Sequence, residues 1–304
     1  MRTTTSALRE GLNRRLGDRI RRGESLGRHT SIRIGGHADL LVVPETSEEL
    51  GIVVVEAAAY GERVMVLGAG SNLLVGDGGI GGVIVKLGPA FRGMQWSETG
   101  VCAGAALQMG KLARAAVARG LAGLEHAEGI PGTVGGAVFM NAGAYGGDVS
   151  QSIEAVEGVD ATGRVRTLHA EALVFRYRRT ELPAGFIVTS VRFRLTPADP
   201  ATLADRLRSI RDRRVASQPH GSANAGSIFK NPTGDHAGRL IEAAGLKGMR
   251  IGGARISEQH ANFIVNDAGA DASDVQALMA EAQRAVWERN GVWLEPEIRL
   301  VGRW

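Results

Sequence analysis

The placement of glycine is the feature of this sequence that most limits the folds it can adopt. The chain has 304 residues and 43 of them are glycine, about twice the usual share of roughly 7%. Most lie between Gly61 and Gly147, with smaller groups at 221–226 and 245–253. Each glycine increases the entropy lost on folding. The distribution therefore favours segments whose backbone must approach a ligand or another chain segment closely.

The apolar periodicity around these glycines predicts a mixed α+β fold. Thr46 and Glu49 form a capping box for a helix that reaches about Tyr60. Further helices are predicted at 107–119, 198–218 and 272–289, and strands at 39–43, 64–67, 83–87 and 292–300. Apolar and polar residues alternate in the last strand, so Glu295 and Glu297 are expected on one of its faces.

Composition and charge exclude several classes of protein. Hydrophobic residues make up 44% and charged residues 22% of the chain, which is typical of a folded globular protein. The net charge of +4 favours small anionic ligands, and no basic stretch interleaved with aromatics indicates nucleic-acid binding. The single cysteine, Cys102, excludes an intrachain disulfide and fits a cytoplasmic protein. No secretion signal, membrane span or metal site is predicted.

The first informative segment, Val64–Val75, reads as a strand, a glycine turn and a second strand. A Rossmann fingerprint would need glycine in place of Leu73 and a helix directly afterwards, so a Rossmann fold is not expected. The turn can instead present a concave run of backbone N–H groups to a pyrophosphate. A tight hairpin without a ligand remains open. The predicted cofactor contacts are Gly68, Ala69, Gly70, Ser71, Asn72 and Leu73.

The second informative segment, Glu128–Gly146, is richer still in glycine. Its entropy cost is easiest to explain if the backbone lies against a flat or phosphorylated ligand. Two such loops together favour a large dinucleotide. The predicted cofactor contacts in this segment are Gly129, Pro131, Gly132, Gly135, Gly136, Asn141, Ala142 and Gly143.

In combination, these segments resemble those of the UDP-N-acetylenolpyruvoylglucosamine reductases, flavoenzymes of peptidoglycan precursor synthesis. The other matching segments are His29-Thr30, 35–39, Tyr177-Arg178, Gln218-Pro219, 226–232 and 294–298. The resemblance implies an FAD-binding domain of the vanillyl-alcohol-oxidase (PCMH) type, in two subdomains at 1–66 and 67–197. It also implies a C-terminal α+β substrate-binding domain at 198–304, whose last strand is free to return to the FAD domain.

The resemblance further implies a reaction. NADPH would donate electrons through non-covalently bound FAD, reducing UDP-N-acetylglucosamine enolpyruvate, a UDP-sugar enolpyruvyl ether, to UDP-N-acetylmuramate. The short segment 181–186 resembles that of the subclass without an extra substrate-capping loop. His37, where these reductases often have Pro, is interpreted as a turn residue. A flavin oxidase on the same fold and a non-catalytic nucleotide-binding module stay open, and the oligomeric state is undefined.

The resemblance assigns three catalytic residues. Arg178 would polarise the substrate carboxylate, Ser227 would donate a proton, and Glu297 would act with Arg178. A guanidinium suits the first role because it meets a carboxylate through two parallel donors. The residues alone leave alternatives: Arg176 or Arg179 on charge, a turn role for the serine, and a Glu297–Arg299 ion pair. The expected substrate contacts are Tyr177, Lys230 and Asn231, and Ser217 replaces a usual Lys.

Overall fold

The computed structural model describes residues 2–304, which form two compact units with separate hydrophobic cores. The first unit comprises the chain up to Arg22, Leu40–Ala69 and Gly82–Arg213, and the second comprises Gly23–Asp39, Gly70–Gly81 and Arg214–Trp304. Met1, where the predicted N-terminal subdomain starts, lies outside the described residues. The sequence predicted three domains, each continuous in the chain, and these boundaries stay a prediction. Each of the two units in the structure is made of three separate chain segments.

The four helices predicted from the sequence are all present in residues 2–304. Thr46 accepts a hydrogen bond from the Glu49 N–H at 3.2 Å, which is one half of the predicted capping box. The Glu49 carboxylate instead accepts from the Glu45 N–H at 2.8 Å. Gly291 ends the last helix with a φ of 65°. Three helices were not predicted: Arg2–Leu16, Val134–Phe139 and Ala237–Ala243. No helix of the described residues is long and apolar enough to cross a membrane. The helices are α1 Arg2–Leu16, α2 Ser47–Ala59, α3 Met109–Val117, α4 Val134–Phe139, α5 Pro200–Ser217, α6 Ala237–Ala243 and α7 Ala272–Asn290.

The first ten strands of the described chain are short, and none exceeds six residues. β3 and β5 pair in parallel in the first unit, with Val64 opposite Val83. The strand predicted at 83–87 lies slightly earlier in the structure, at Ile80–Val85. The ten are β1 Ile20–Ser25, β2 His37–Val42, β3 Val64–Val66, β4 Leu73–Val75, β5 Ile80–Val85, β6 Met94–Ser97, β7 Gly100–Gly104, β8 Leu121–Ala122, β9 Gly143–Ala144 and β10 Gly147–Asp148.

The next six strands complete the first unit. Its largest sheet is antiparallel with the order β12-β11-β15-β7-β6, and Val156 of β11 lies opposite Val191 of β15. Both valines are fully buried in the core of this unit. These strands are β11 Ile153–Val159, β12 Val165–His169, β13 Val174–Arg176, β14 Arg179–Glu181, β15 Ile187–Arg194 and β16 Thr196–Pro197.

The second unit contains a four-stranded antiparallel sheet with the order β17-β20-β19-β18. A parallel pair joins β21 to β4, with Leu300 opposite Leu74. The remaining strands are β17 Ala223–Asn224, β18 Arg250–Ile251, β19 Ala254–Ile256, β20 Ile264–Asn266 and β21 Arg299–Val301. Helix α7 packs into the same core, where Val275 and Leu278 are fully buried.

The single strand predicted at 292–300 is wrong. Only Arg299–Val301 is a strand, and Pro296 before it forms an isolated bridge with Phe229. Proline has no N–H to give to a ladder, and the pairing of this segment with Phe229 stays an isolated bridge. Glu295 and Glu297 therefore do not share one face of a strand.

Candidate functional site

The first glycine loop lies between β3 and β4, so the predicted order of strand, glycine turn and strand is confirmed. Within residues 2–304, the backbone N–H groups of Gly68, Ala69 and Gly70 make no hydrogen bond. A Cβ at Gly70 would lie 2.2 Å from the carbonyl oxygen of His29, and the φ of Gly70 is 64°. Only glycine fits there, and three successive N–H donors remain available to a ligand.

The second glycine loop leads into α4 and lies beside Gly68, the first glycine of the other loop, within the first unit. The Thr133 hydroxyl accepts a hydrogen bond from the Gly136 N–H at 3.3 Å, and a Cβ at Gly68 would come within 2.8 Å of that oxygen. In the described chain the N–H groups of Gly129 and Gly132 have no partner. Unpartnered N–H groups without side chains in front of them suit a phosphorylated ligand.

The other predicted contacts of these loops already have protein partners or lie in strands. The Gly135 N–H donates to the Ala105 carbonyl at 2.9 Å. Pro131 lies between Gly129 and Gly132, the two glycines whose N–H groups have no partner. Ala142 accepts a hydrogen bond from the Val149 N–H at 3.0 Å. Two predicted contacts belong to strands: Gly143 to β9, opposite Asp148, and Leu73 to β4, opposite Arg299.

Arg178 lies in the two-residue loop of the hairpin formed by β13 and β14. Its φ of 59° is in the left-handed region, where a non-glycine residue is strained, and such strain is concentrated at functional sites. Its guanidinium lies 4.9 Å from the centroid of the Tyr177 ring. Arg176 instead pairs with Glu181 at 2.7 Å, and this hydrogen bond lowers the pKa of Glu181. Arg178 is half-buried and Arg179 is exposed. The three arginines, which the sequence could not separate by charge, therefore differ in their surroundings in the structure.

Two side-chain hydrogen bonds attach this hairpin to the second glycine loop. Asn141 is 5% exposed, and its Nδ2 donates to the Arg176 carbonyl at 3.1 Å. The Thr180 hydroxyl donates to the Val138 carbonyl of α4. Asn141, predicted from the sequence as a cofactor contact, therefore uses its amide to hold the segment that carries Arg178.

Ser227 and Glu297 lie on neighbouring segments of the second unit. The Glu297 N–H donates to the Ile228 carbonyl at 2.8 Å. The Gly226 N–H, just before the serine, donates to the side chain of Asn224 at 2.9 Å. Ser227 is half-buried, and its hydroxyl makes no hydrogen bond within the part of the chain that the structure describes. A hydroxyl without a protein partner beside a glutamate segment is able to give a proton to a ligand.

Asn72 joins the end of the first glycine loop to the Glu297 segment. Its Nδ2 donates to the Glu297 carbonyl at 3.1 Å, and its own carbonyl accepts from the Arg299 N–H at 3.0 Å. The preceding residue, Ser71, has its carbonyl 3.8 Å from where a Cβ of Gly226 would lie. The second unit thus brings together Ser71 and Asn72, Gly226, and the segment 297–299, although Asn72 and Glu297 are more than 200 positions apart.

The two polar residues after Ser227, Lys230 and Asn231, bond to other parts of the second unit. Lys230 forms an ion pair with Glu295, and its N–H donates to the Glu295 carbonyl at 2.9 Å. The side-chain oxygen of Asn231 accepts from the Ala237 N–H at 3.1 Å, at the start of α6. The side chains of Lys230 and Asn231 therefore bond to groups other than the serine hydroxyl.

Three further observations correct or extend the sequence analysis. His37 is the first residue of β2 and is exposed, so the prediction of a turn residue is wrong. Asn262, which the sequence analysis did not single out, is 3% exposed and bonds to the segment after Ser227. No local pattern identifies it, because its partners lie more than 30 positions away. Within residues 2–304, no three His, Cys, Asp or Glu side chains are grouped to hold a metal.

Comparisons with known proteins agree with this geometry. Residues 38–169 match a family model described as an FAD binding domain, and residues 218–301 match the C-terminal domain of UDP-N-acetylenolpyruvoylglucosamine reductase. The chain is 46% identical to UDP-N-acetylenolpyruvoylglucosamine reductase 2 of Symbiobacterium thermophilum, covering 93% of this chain and 92% of the relative. It is 44% identical to the reductase of Rubrobacter xylanophilus, covering 97% and 99%.

A solved structure shows the same overall similarity. The crystal structure of UDP-N-acetylenolpyruvylglucosamine reductase from Thermus caldophilus superposes with a TM-score of 0.82 at 39% identity, covering 93% of this chain and 100% of that one. The fold and the glycine loops thus define an FAD-dependent oxidoreductase. The relatives narrow the assignment: the chain belongs to the UDP-N-acetylenolpyruvoylglucosamine reductase family. The predicted fold class, family and FAD cofactor are confirmed.

Proposed function

We propose that this protein reduces the enolpyruvyl ether of UDP-N-acetylglucosamine to UDP-N-acetylmuramate, with NADPH as the electron donor. Its family membership supports this reaction. The observation that carries the proposal is the place of the Ser227 hydroxyl in the second unit: it makes no hydrogen bond within residues 2–304, and the next residue, Ile228, accepts a hydrogen bond from the Glu297 N–H. Reduction of a carbon–carbon double bond needs a proton as well as a hydride, and this hydroxyl is suited to supply one. An oxidase has no such need.

The residues of the glycine loops fit FAD. The unpartnered N–H groups of Gly68, Ala69, Gly129 and Gly132 are donors for its pyrophosphate, and glycine lets that group approach the backbone. When bound, FAD accepts a hydride from NADPH and delivers one to the enolpyruvyl double bond. The protein's own part is to hold the cofactor, bind the substrate and move the proton.

Arg178 is proposed to bind the substrate carboxylate. Hydride addition at C3 places negative charge on C2 and the carboxylate, so a fixed cation there stabilises the transition state more than the ground state. The guanidinium stays protonated at any physiological pH. Its backbone strain and the two hydrogen bonds that hold its hairpin support a role that needs a fixed position.

Ser227 is proposed to give its hydroxyl proton to C2, and Glu297 to act with Arg178 on the developing charge. General acids of this kind contribute about 100-fold to 10,000-fold in rate. Tyr177, 54% exposed, and Lys230 and Asn231 are proposed substrate contacts. Lys230 would then exchange its ion pair with Glu295 for an anionic group of the substrate.

An anaerobic titration tests the proposed function. The purified protein should carry a flavin spectrum that bleaches with one equivalent of NADPH and returns when the UDP-linked enolpyruvyl substrate is added, giving a product two mass units heavier than the substrate. Reoxidation by oxygen but not by this substrate would instead identify an oxidase. A protein that binds no flavin would be a nucleotide-binding module.

We also propose a cytoplasmic location. One cysteine, Cys102, cannot form an intrachain disulfide, and chains without disulfides are typical of reducing compartments. This is tested with an antibody against the protein, which should detect it in the soluble fraction of lysed cells. Its release from cells that stay intact would contradict a cytoplasmic location.

A further inference from the structure

The segment that follows Ser227 is held on one side by a single buried residue, Asn262. Its side-chain oxygen accepts from the Phe229 N–H at 2.9 Å, and its Nδ2 donates to the Phe229 carbonyl at 2.8 Å. Its own backbone carbonyl accepts from the Ile228 N–H at 2.9 Å. One asparagine thus makes three hydrogen bonds to two consecutive residues, which is the pairing that a neighbouring strand would otherwise provide.

The opposite side of the same segment pairs with the Glu297 segment. The Ile228 carbonyl accepts from the Glu297 N–H at 2.8 Å, and Phe229 forms an isolated bridge with Pro296. The Lys230 N–H donates to the Glu295 carbonyl at 2.9 Å. Residues 228–230 therefore lie between Asn262 and the residues around Glu297, and any shift of this segment changes the separation of Ser227 from Glu297.

Residues 228–229 depend on the side-chain amide of Asn262 because they lie in a buried region. Ile228 and Phe229 are each 1% exposed and Asn262 is 3% exposed, so water does not replace a lost partner. The loop that carries Asn262 is itself fixed, because the Ser257 N–H donates to the Phe263 carbonyl at 2.8 Å and the Asn262 N–H donates to the His260 ring at 3.2 Å.

We propose that Asn262 is a positioning residue that fixes the Ser227 hydroxyl relative to Glu297 for delivery of the proton to the substrate. This inference rests on the proposed function. Asn262 would then have two effects. Its hydrogen bonds stabilise the fold, and the position that they give Ser227 is needed for reoxidation of the flavin by the substrate. A shift of about 1 Å in a reacting group typically costs on the order of 100-fold in rate.

Asn266 offers a matched control in the same unit. Its Nδ2 donates to the Ile32 carbonyl at 3.1 Å and its side-chain oxygen accepts from the Ala270 N–H at 2.9 Å. It is also an asparagine in the β19–β20 hairpin region with two side-chain bonds to backbone groups. Neither bond reaches residues 226–230 or 295–298, so Asn266→Ala should lower stability without moving Ser227.

The experiment compares Asn262→Ala, Asn262→Asp and Asn266→Ala as holoproteins, with rates expressed per bound flavin. Stopped-flow absorbance follows flavin reduction by NADPH and, separately, reoxidation by the enolpyruvyl substrate. We expect both Asn262 variants to be reduced at the wild-type rate and reoxidised on the order of 100-fold more slowly. Asn266→Ala should show wild-type rates in both steps. The aspartate keeps an acceptor for the Phe229 N–H, so it serves if the alanine variant does not fold.

Amide hydrogen exchange gives a readout that needs no turnover. The Phe229 N–H should exchange faster in Asn262→Ala and unchanged in Asn266→Ala. Reoxidation within threefold of wild type in the Asn262 variants, or equal slowing of both half-reactions, would overturn the inference and leave Asn262 with a structural role only. Failure of the proposed function looks different, because wild-type protein would then not be reoxidised by this substrate at all.

Discussion

Replacing Asn141 tests whether the Arg178 hairpin is fixed by the second glycine loop. Asn141 has a φ of 40°, a region that asparagine tolerates and alanine does not. Its Nδ2 bond to the Arg176 carbonyl would be lost in any truncation. Its other bond, from the Ser150 N–H at 3.3 Å, matters less because Asp148 also accepts from that N–H at 3.1 Å.

These contacts set the expected magnitudes. Loss of one hydrogen bond costs about 1 kcal/mol, and a left-handed backbone costs alanine about 1–2 kcal/mol more. Asn141→Ala should therefore lower the free energy of unfolding by about 2–3 kcal/mol. Asn141→Gly avoids the backbone penalty and adds only about 0.5 kcal/mol of unfolded-state entropy, so its loss should be about 1 kcal/mol smaller than that of the alanine variant.

The assay is urea unfolding at one fixed, saturating FAD concentration, so that stabilisation by the ligand is the same for each protein. The glycine variant should also show a raised KM for the enolpyruvyl substrate with normal flavin content, since the hairpin keeps only its Thr180 bond to α4. Equal stability of the alanine and glycine variants would refute the backbone argument. An unchanged KM in the glycine variant would refute the role of Asn141 in fixing Arg178.

Three other variants test separate parts of the account. Arg178→Lys should retain FAD but lose on the order of 100-fold to 1,000-fold in turnover, whereas Arg179→Lys should keep wild-type turnover. Equal turnover of the two variants in steady-state kinetics would show that Arg178 does not bind the substrate carboxylate. Gly70→Ala should lose bound flavin, read from the absorbance ratio, because its Cβ would collide with the His29 carbonyl; Gly61→Ala, with a similar φ of 68° but open space, should keep it. Burial lowers the pKa of His126 from 6.5, so folding favours the neutral ring and stability is lost as pH falls below 6.5. His126→Phe should therefore match wild type in Tm at pH 8 and exceed it at pH 5.5. Parallel curves of Tm against pH for the two proteins would contradict this.

The sequence predicted those features that depend on neighbouring residues. The Thr46 cap, the extent of α7 to within one residue and the glycine turn before β4 are all local, and the structure has each of them. Helix α4 was not predicted, because Gly135 and Gly136 hide its periodicity. The strand at 292–300 was predicted wrongly because its alternation outweighed Pro296, which cannot extend a ladder.

The contacts that hold the candidate site were beyond prediction from the sequence alone. Asn141 bonds to a residue 35 positions away and Asn262 to one 33 positions away, and neither spacing repeats along the chain. Arg178 was selected by its motif, but its strained φ became visible only in the folded hairpin. Side-chain bonds to distant backbone groups carry no sequence periodicity, so only tertiary structure reveals them.

The Ser227→Ala variant tests the central claim most directly, because it separates the two halves of the reaction. Stopped-flow absorbance should show NADPH reducing its flavin at nearly the wild-type rate, since that step needs no proton at C2 of the substrate. Reoxidation by the enolpyruvyl substrate should slow by at least 100-fold. Ser222→Ala, which removes an exposed hydroxyl bonded to the Pro219 carbonyl, should leave both rates unchanged. Normal reoxidation in Ser227→Ala, or equal slowing of both steps, would contradict the assignment of this serine as the proton donor.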